Sequence, residues 1–217
     1  MRIGILGSGL MGGKLGTLFA RAGHEVVFSY SRSQQKLKKL ARDAGKNARA
    51  GTPAEAARDA DAVVLAVHWS RVDDVLKQAG ELSGKVIVTC SLPMSADDKG
   101  LVVAHTSSGA EELAKKVPGA RVVSAFGTVP SEVLFGVYEA RRRKAPRPSL
   151  VYCSDDTDAK EVVVKLIRDV GFDPVDAGPL RIARYIEPFT LLVAQLAYEG
   201  DGGPELAYRF EWFREQE

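Results

Sequence analysis

Three glycines near the amino terminus have the spacing of a phosphate-binding turn. Gly7, Gly9 and Gly12 follow a short apolar stretch at residues 2–6 and open a segment with helical periodicity. The first glycine permits a tight turn, the second lets the main chain approach a pyrophosphate, and the third lets the helix pack against the strand. Free N–H groups at the start of the helix attract the phosphates. The pattern predicts dinucleotide binding, rather than a purely structural turn, by Gly7, Ser8, Gly9, Leu10, Met11 and Gly12.

The residues about 20 positions after this turn distinguish the two common dinucleotides. An acid at that place hydrogen-bonds the ribose hydroxyls of NAD and repels a 2′-phosphate. Residues 26–42 contain no Asp or Glu, and they offer Ser31, Arg32 and Lys36 instead. A hydroxyl, a guanidinium and an ammonium group suit a phosphate dianion. We therefore predict NADP as the cofactor. The alternative is that the cations form a solvated helix face, as we expect for Lys38 and Lys39.

Three loops follow further predicted strands, at the sheet edge where ligands of such folds bind. They come after residues 62–66, 86–88 and 121–125. We predict that the first two run along the dinucleotide, and that the third, together with the last helix, faces the substrate. The predicted cofactor contacts are Val67, His68, Trp69, Ser91 and Leu92. The predicted substrate contacts are Pro93, Met94, Phe126, Gly127, Thr128 and Leu180.

His68 is the titratable imidazole of these loops and has three interpretations: cofactor contact, a structural role, or proton transfer. We favour cofactor contact, because Trp69 beside it suggests a packing surface and no carboxylate lies near it in the sequence. We expect no catalytic acid or base, since none of the loops offers an acid and hydride transfer between stacked rings depends on orientation. Leu92 and Phe126 would then form apolar walls, and Thr128 would hydrogen-bond the acceptor.

Strands and helices alternate along the chain, which is typical of an α/β fold. Apolar residues at helical spacing, such as Leu15, Leu18 and Phe19, precede a glycine, and the continuous apolar run at residues 62–66 indicates a strand buried on both faces. The alternation predicts a doubly wound, mostly parallel sheet of the NAD(P)-binding Rossmann type. We predict a nucleotide-binding domain at residues 1–178. We expect residues 179–217 to form a small helical C-terminal segment that closes the cleft or packs on a second subunit.

Composition and charge exclude several classes of protein. The chain has 217 residues, a hydrophobic content of 45% and a net charge of +2, which indicate a globular core and give no reason to expect a nucleic-acid partner. No apolar run is long enough to span a bilayer, so we expect no membrane and a cytoplasmic location. Cys90 and Cys153 lie far apart without a metal-ligand pattern, so we expect no metal. The basic cluster at residues 141–147 is interpreted as a solvated loop, the alternative being attraction of an acidic substrate.

These landmarks together resemble the deazaflavin-dependent NADP oxidoreductase family, which uses coenzyme F420. Beyond the glycine turn, the resemblance rests on residues 30–32 with Lys36, residues 67–69, residues 122–125 with 128–130, and residues 176–180. It implies hydride transfer between NADPH and a deazaflavin stacked on the nicotinamide, in a homodimer whose C-terminal segment closes the cleft. The deazaflavin enzymes of the family tend to have a histidine where this chain has Gly127, so flavins, metal chelates and other acceptors stay open.

Three functions compete. The first is NADPH-dependent hydride transfer to a small, flat, conjugated acceptor such as a deazaflavin or flavin. The second is reduction of imines or small ketones, as by pyrroline carboxylate reductase or the β-hydroxyacid dehydrogenases. Such enzymes need a larger helical domain, and the hydroxyacid dehydrogenases also need a catalytic lysine motif. Neither feature is visible in the sequence. The third is a redox sensor that binds NADPH without turnover, and no motif supports a version that binds DNA. We favour the first.

Overall fold

The computed structural model describes residues 1–213, which are built around one eight-stranded sheet. The strand order is β3-β2-β1-β4-β5-β6-β7-β8, and the first six strands are mutually parallel. β7 is antiparallel to β6, and β8 runs parallel to β7. The strands are β1 Arg2–Leu6, β2 Glu25–Ser29, β3 Ala48–Ala50, β4 Ala62–Leu65, β5 Val86–Thr89, β6 Arg121–Ser124, β7 Ser149–Ser154 and β8 Asp173–Asp176.

Eight α-helices are described, and they cover both faces of the sheet. One face carries α1, α2, α6 and α7, and the other carries α3, α4, α5 and α8. This arrangement confirms the predicted doubly wound, mostly parallel fold. The helices are α1 Leu10–Arg21, α2 Gln34–Ala44, α3 Pro53–Arg58, α4 Val72–Ala79, α5 Gly109–Lys116, α6 Val133–Ala140, α7 Thr157–Asp169 and α8 Ala183–Ala194.

The central strands are buried on both faces because helices cover each side. Every residue of β4 and β5 is buried, which explains the unbroken apolar sequence of β4 and the apolar residues 86–88 of β5. Helix α3 begins with a capping box, in which the Thr52 hydroxyl accepts from the Glu55 N–H and the Glu55 carboxylate accepts from the Thr52 N–H. Pro53 occupies the first helical position of α3, where the missing N–H costs nothing. Helix α3 packs closely on β1, since a Cβ on Gly4 would lie 2.2 Å from the Ala56 carbonyl oxygen.

The C-terminal segment differs in part from the helical segment predicted for residues 179–217. A 3₁₀ turn at Leu180–Ile182, helix α8 and a π-helical turn at Gln195–Glu199 continue one another. Residues 200–213 then run without helix or strand, and residues 214–217 of the prediction lie outside the described part. The N–H of Ser149 donates to the Tyr208 carbonyl at 2.8 Å, which attaches this arm to β7. Within residues 1–213 we find no helix with the length and apolarity needed to cross a membrane.

Candidate functional site

The glycine turn joins β1 to α1, and its three glycines meet different surroundings. Gly7 has a φ of +111°, and a Cβ there would lie 2.3 Å from the Ala66 carbonyl oxygen. A Cβ on Gly12 would lie 1.9 Å from the Gly7 carbonyl oxygen. Among the described residues, nothing outside its chain neighbours lies within 4 Å of a Cβ built on Gly9. Gly7 and Gly12 are therefore needed for the fold itself, whereas the space at Gly9 is open for a ligand.

A groove of about 1040 Å³ extends from this turn along the carboxyl ends of β1, β2 and β4. It has space for a dinucleotide's adenosine half, because the turn borders one part of it and the loop after β2 borders another. Ser8 also uses its hydroxyl to hold the turn, since Oγ donates to the Ser29 carbonyl at 2.8 Å. Of the predicted cofactor contacts, the groove is lined by Gly7, Ser8, Gly9, Ser31, Arg32, Lys36, Val67 and His68.

The remaining predicted cofactor contacts lie elsewhere. Leu10 is exposed at the start of α1 beside the groove, with Met11 half-buried against the core. Trp69 is partly buried against the core on the α4 side. Ser91 and Leu92 line a separate small cavity on the other side of β4. These residues therefore flank the path from the groove toward that cavity.

The part of the groove near Arg32 contains a third cation and an acid that the sequence analysis did not predict. Arg71, from the turn before α4, lines the groove together with Arg32 and Lys36. The acid is Asp74, whose carboxylate accepts a 2.5 Å hydrogen bond from the Tyr30 hydroxyl. Gln78 donates to the same oxygen of Asp74 at 3.0 Å.

These hydrogen bonds affect the titration of both partners. The bond from Tyr30 holds the pKa of Asp74 below its usual range. Burial, assisted by the bond to Asp74, raises the pKa of Tyr30 to about 12. The Asp74 carboxylate is thus ionised and already accepts two hydrogen bonds. The three cations, Arg32, Lys36 and Arg71, line the groove. This balance suits a phosphate better than a pair of ribose hydroxyls. Arg71 and Asp74 were missed because they lie about 40 positions from Arg32 in the sequence.

His68 caps the turn after β4, and a carboxylate that is distant in the sequence lies beside it. The Ser70 N–H donates to His68 Nδ1 at 3.2 Å, so the His68 side chain caps the 3₁₀ turn at Trp69–Arg71. His68 Nε2 lies 3.1 Å from Asp98 Oδ1, which is a carboxylate contributed from 30 positions away. Because Nδ1 accepts a hydrogen bond, the neutral ring carries its proton on Nε2 and donates it to Asp98. Both side chains are exposed to solvent.

Two of the predicted substrate contacts belong to the core. Phe126 is fully buried, and its ring packs on Phe19 with the ring centres 6.1 Å apart. Leu180 is also buried, in the core between α8 and the sheet. The prediction that these two side chains line the cleft is therefore wrong in this conformation, because apolar packing uses both of them. Pro93 is buried and Met94 half-buried, and Pro93 packs against Gly109 at the start of α5.

Thr128 lies at the sheet edge but already has a partner. Its Oγ1 lies 2.7 Å from the hydroxyl oxygen of Tyr208, a residue of the C-terminal arm. The Tyr208 ring packs on Phe189, with the ring centres 5.2 Å apart. The arm therefore covers Thr128, and an acceptor that hydrogen-bonds Thr128 has to take the place of Tyr208 or bind beside it.

A small enclosed cavity of about 10 Å³ lies between the loops after β5 and β6 and helix α8. It brings together four predicted site residues, Ser91, Leu92, Gly127 and Thr128, and an acid, Glu187. Glu187 is 3% exposed. Its carboxylate accepts from the N–H groups of Gly109 and Ala110 at 2.8 and 3.0 Å, at the start of α5.

Burial raises the pKa of Glu187 to about 7, although the two N–H donors oppose this shift. The loop residues that line this cavity include no acid, but α8 supplies one. A sequence signal for it existed, because Glu187 falls on the apolar face of α8 together with Ala183, Ile186, Thr190 and Val193. Acidic side chains are rare on the buried face of a helix, so one at this spacing indicates a specific hydrogen-bond partner.

A doubly wound sheet with a glycine turn at the start of α1 and a cation-lined groove beside it defines a dinucleotide-binding protein of the Rossmann type. Residues 2–93 match the model of the family described as NADP oxidoreductase, coenzyme F420-dependent. The amino-terminal part of the chain is thus similar to this family, which confirms the resemblance stated from the sequence.

One curated relative and two solved structures are similar to this chain over more of its length. Metalloreductase STEAP3 of Rattus norvegicus is 30% identical over 190 residues, which cover 88% of this chain and 36% of that protein. The chain thus spans about a third of the length of this relative. A crystal structure from Arthrobacter sp. FB24, provisionally described as an F420-dependent NADP-reductase, has a TM-score of 0.85 and 22% identity, covering 98% and 100% of the two chains. An imine reductase of Aspergillus terreus solved with NADPH4 has a TM-score of 0.64 and 18% identity, covering 89% and 60%.

Proposed function

We propose that the chain is an NADPH-dependent oxidoreductase that transfers a hydride between NADP(H) and a flat, conjugated acceptor such as a deazaflavin or flavin. The observation that carries this proposal is the groove of about 1040 Å³. The space at Gly9 is open where the glycine turn borders the groove, and three cations line the groove. The family description of residues 2–93 supports NADP and a deazaflavin. The relatives described as a metalloreductase and an NADP-reductase support redox chemistry with an acceptor other than a simple ketone.

The residues present fit the cofactor. The main-chain N–H groups at the start of α1 would hold the pyrophosphate at Gly9, because no acidic side chain lies in the first turn of α1. Ser31, Arg32 and Lys36 would hold the 2′-phosphate, with Arg71 on the opposite side of the groove. The bound nicotinamide supplies the hydride. The loops at Val67 and Ser91 would then position the nicotinamide at the cavity edge.

We place the acceptor between the loop at residues 91–94 and the loop at residues 127–130, under α8 and the C-terminal arm. In this arrangement Leu92 provides an apolar wall and Gly127 allows the ring to approach the main chain. No side-chain acid is needed for the hydride step itself, since the chemistry belongs to the two stacked rings and the protein supplies orientation.

A second candidate is the reduction of imines or ketones, and the His68–Asp98 pair favours it. A histidine oriented by a carboxylate is suited to proton transfer. The His68→Ala variant separates the two candidates. We expect a modest fall in turnover from lost positioning, whereas a loss beyond roughly 1000-fold with intact NADPH affinity would favour the carbonyl or imine reductase.

We also propose that the protein is a homodimer. The terminal helical segment carries exposed apolar side chains at Tyr185, Leu192 and Leu196, whose spacing places them on one face. A contiguous apolar face of this kind favours association with a second copy.

The function is tested by NADPH oxidation with FMN, 5-deazariboflavin, cyclic imines and ketoacids as acceptors. In parallel, NADPH and NADH binding is measured by fluorescence for wild type, Arg32→Ala and a matched control, Lys38→Ala. A charge-assisted phosphate contact predicts that Arg32→Ala weakens NADPH binding about 10- to 100-fold and leaves NADH binding nearly unchanged. Lys38 is exposed on α2 outside the groove lining, so its variant should bind both as wild type does. Equal losses for NADPH and NADH in Arg32→Ala would contradict the NADP site.

A further inference from the structure

Glu187 is a buried carboxyl group at the proposed acceptor site, and the hydride step gives it no role. It faces the small cavity whose other walls are the loops after β5 and β6. Four hydroxyl-bearing residues, Thr89, Ser91, Thr128 and Thr190, line the same cavity. A space of about 10 Å³ is close to the minimum that one water molecule needs, and polar groups surround it. The cavity therefore lies between the carboxyl group and the loops that flank the proposed acceptor site, with room for about one water molecule.

We propose that Glu187 supplies the proton that a conjugated acceptor takes up together with the hydride, through this cavity. The inference rests on the proposed function and goes beyond it by adding the second half of the reaction. In the hydride step the C4–H bond of the reduced nicotinamide breaks and a new bond to hydrogen forms on the acceptor ring. The displaced electron pair then collects on a ring nitrogen, which takes the carboxyl proton. Glu187 is left as a carboxylate, and solvent returns the proton after each turnover.

The surroundings of Glu187 allow both protonation states. In the carboxylate, two N–H donors at the start of α5 stabilise the negative charge, as does the positive end of the helix. In the neutral acid, burial favours the uncharged form and brings the pKa to about 7. The close approach depends on Gly109, because a Cβ there would lie 3.3 Å from Glu187 Oε1 and 2.8 Å from Pro93 Cδ. A group with such a pKa gives and takes protons readily near neutral pH.

The other titratable and charged groups around Glu187 leave it as the group that changes charge near neutral pH. On α5, Glu111 is ion-paired with Arg184 of α8 at 2.7 Å, and this pairing holds the pKa of Glu111 below its usual range. Burial raises the pKa of both thiols nearby, Cys90 after β5 and Cys153 on β7, to about 12. Near pH 7, Glu111 and Arg184 are thus fully charged and the thiols neutral.

The experiment measures turnover against pH with 5-deazariboflavin in both directions. A proton donor must be protonated for acceptor reduction, so the wild-type rate should fall as the pH rises through about 7. In the reverse direction the carboxylate is the active form, and the rate should rise over the same range. In Glu187→Gln we expect a rate loss of roughly 100-fold or more below pH 7, no inflection, and NADPH affinity within twofold of wild type.

Glu111→Gln is the matched control. It removes a carboxylate from the same corner of the molecule but should retain the inflection, moved to lower pH because the Glu111 charge helps to raise the pKa of Glu187. An inflection that survives unchanged in Glu187→Gln would overturn the inference and leave the proposed function intact. If no acceptor oxidises NADPH even with wild type, both are overturned.

A second measurement does not depend on turnover or on the folding of one variant. The infrared carbonyl band of a protonated carboxyl group is followed from pH 5 to 9 in wild type, Glu187→Gln and the conservative Glu187→Asp. We expect a band in wild type that disappears near pH 7, is absent in Glu187→Gln, and returns with a shifted midpoint in Glu187→Asp. A Glu187 carboxyl that is already ionised at pH 5 would exclude it as the proton donor.

Discussion

At the scale of single residues, the glycine turn separates ligand binding from folding. The space at Gly9 is open, whereas a Cβ on Gly12 would overlap the Gly7 carbonyl oxygen at 1.9 Å. Gly9→Val should therefore retain the wild-type melting temperature and lose the binding of both NADPH and NADH, because the side chain fills the place of the phosphates. Gly12→Ala, the comparison variant, should melt at a lower temperature. Fluorescence titration and thermal unfolding test the pair, and normal NADPH binding by Gly9→Val would make the turn purely structural.

Sequence reasoning reaches those candidate site residues whose signal lies in their immediate neighbours. The turn at Gly7, Gly9 and Gly12 is such a case, because a strand, three glycines and a helix start are consecutive. By contrast, Asp98 and Glu187 reach the site from distant parts of the chain, and only the packing of the loop after β5 and of α8 places them there. Phe126 shows the opposite error, since an aromatic residue in a cleft loop also fits the core, and the core holds it.

At the scale of elements, His24 connects the start of β2 to the end of α7 and makes their packing dependent on pH. Its Nε2 contacts Asp169 at 2.8 Å, and its buried Nδ1 has no hydrogen-bond partner among the described residues. Burial lowers the pKa of His24 despite the bond to Asp169. The unfolded chain therefore binds a proton at a higher pH than the folded one, and stability is lost as the pH falls below about 6.5.

Chemical unfolding of wild type and His24→Phe between pH 5 and 8 tests this linkage. The free energy of unfolding of wild type should decrease on acidification by more than that of the variant, since phenylalanine does not titrate and can pack beside Phe19. Asp169 keeps a partner in the variant, because Lys165 lies 2.7 Å from it. Curves that stay parallel over the whole range would show that His24 does not contribute to the pH dependence.

At the scale of the whole molecule, the exposed face of the terminal helical segment should control assembly. Leu192 and Leu196 are 54% and 55% exposed on neighbouring turns of this segment. Replacing both by Glu should convert a dimer to a monomer, because the charges would be desolvated in the interface. Sedimentation equilibrium measures the mass. Val102→Glu is the control, since Val102 is equally exposed but lies in the loop after β5, far from α8 in sequence. A wild-type monomer at all concentrations would refute the dimer.

The groove and the small cavity come from different stretches of the chain. The residues that line the groove all lie between positions 7 and 78. Those that line the cavity lie between positions 89 and 190. The family match at residues 2–93 covers the first stretch and ends where the second begins. Under the proposed function, mutations that alter the choice of electron acceptor can therefore accumulate without touching the recognition of NADP. Related proteins that have diverged are then expected to share the source of electrons and to differ in the molecule that receives them.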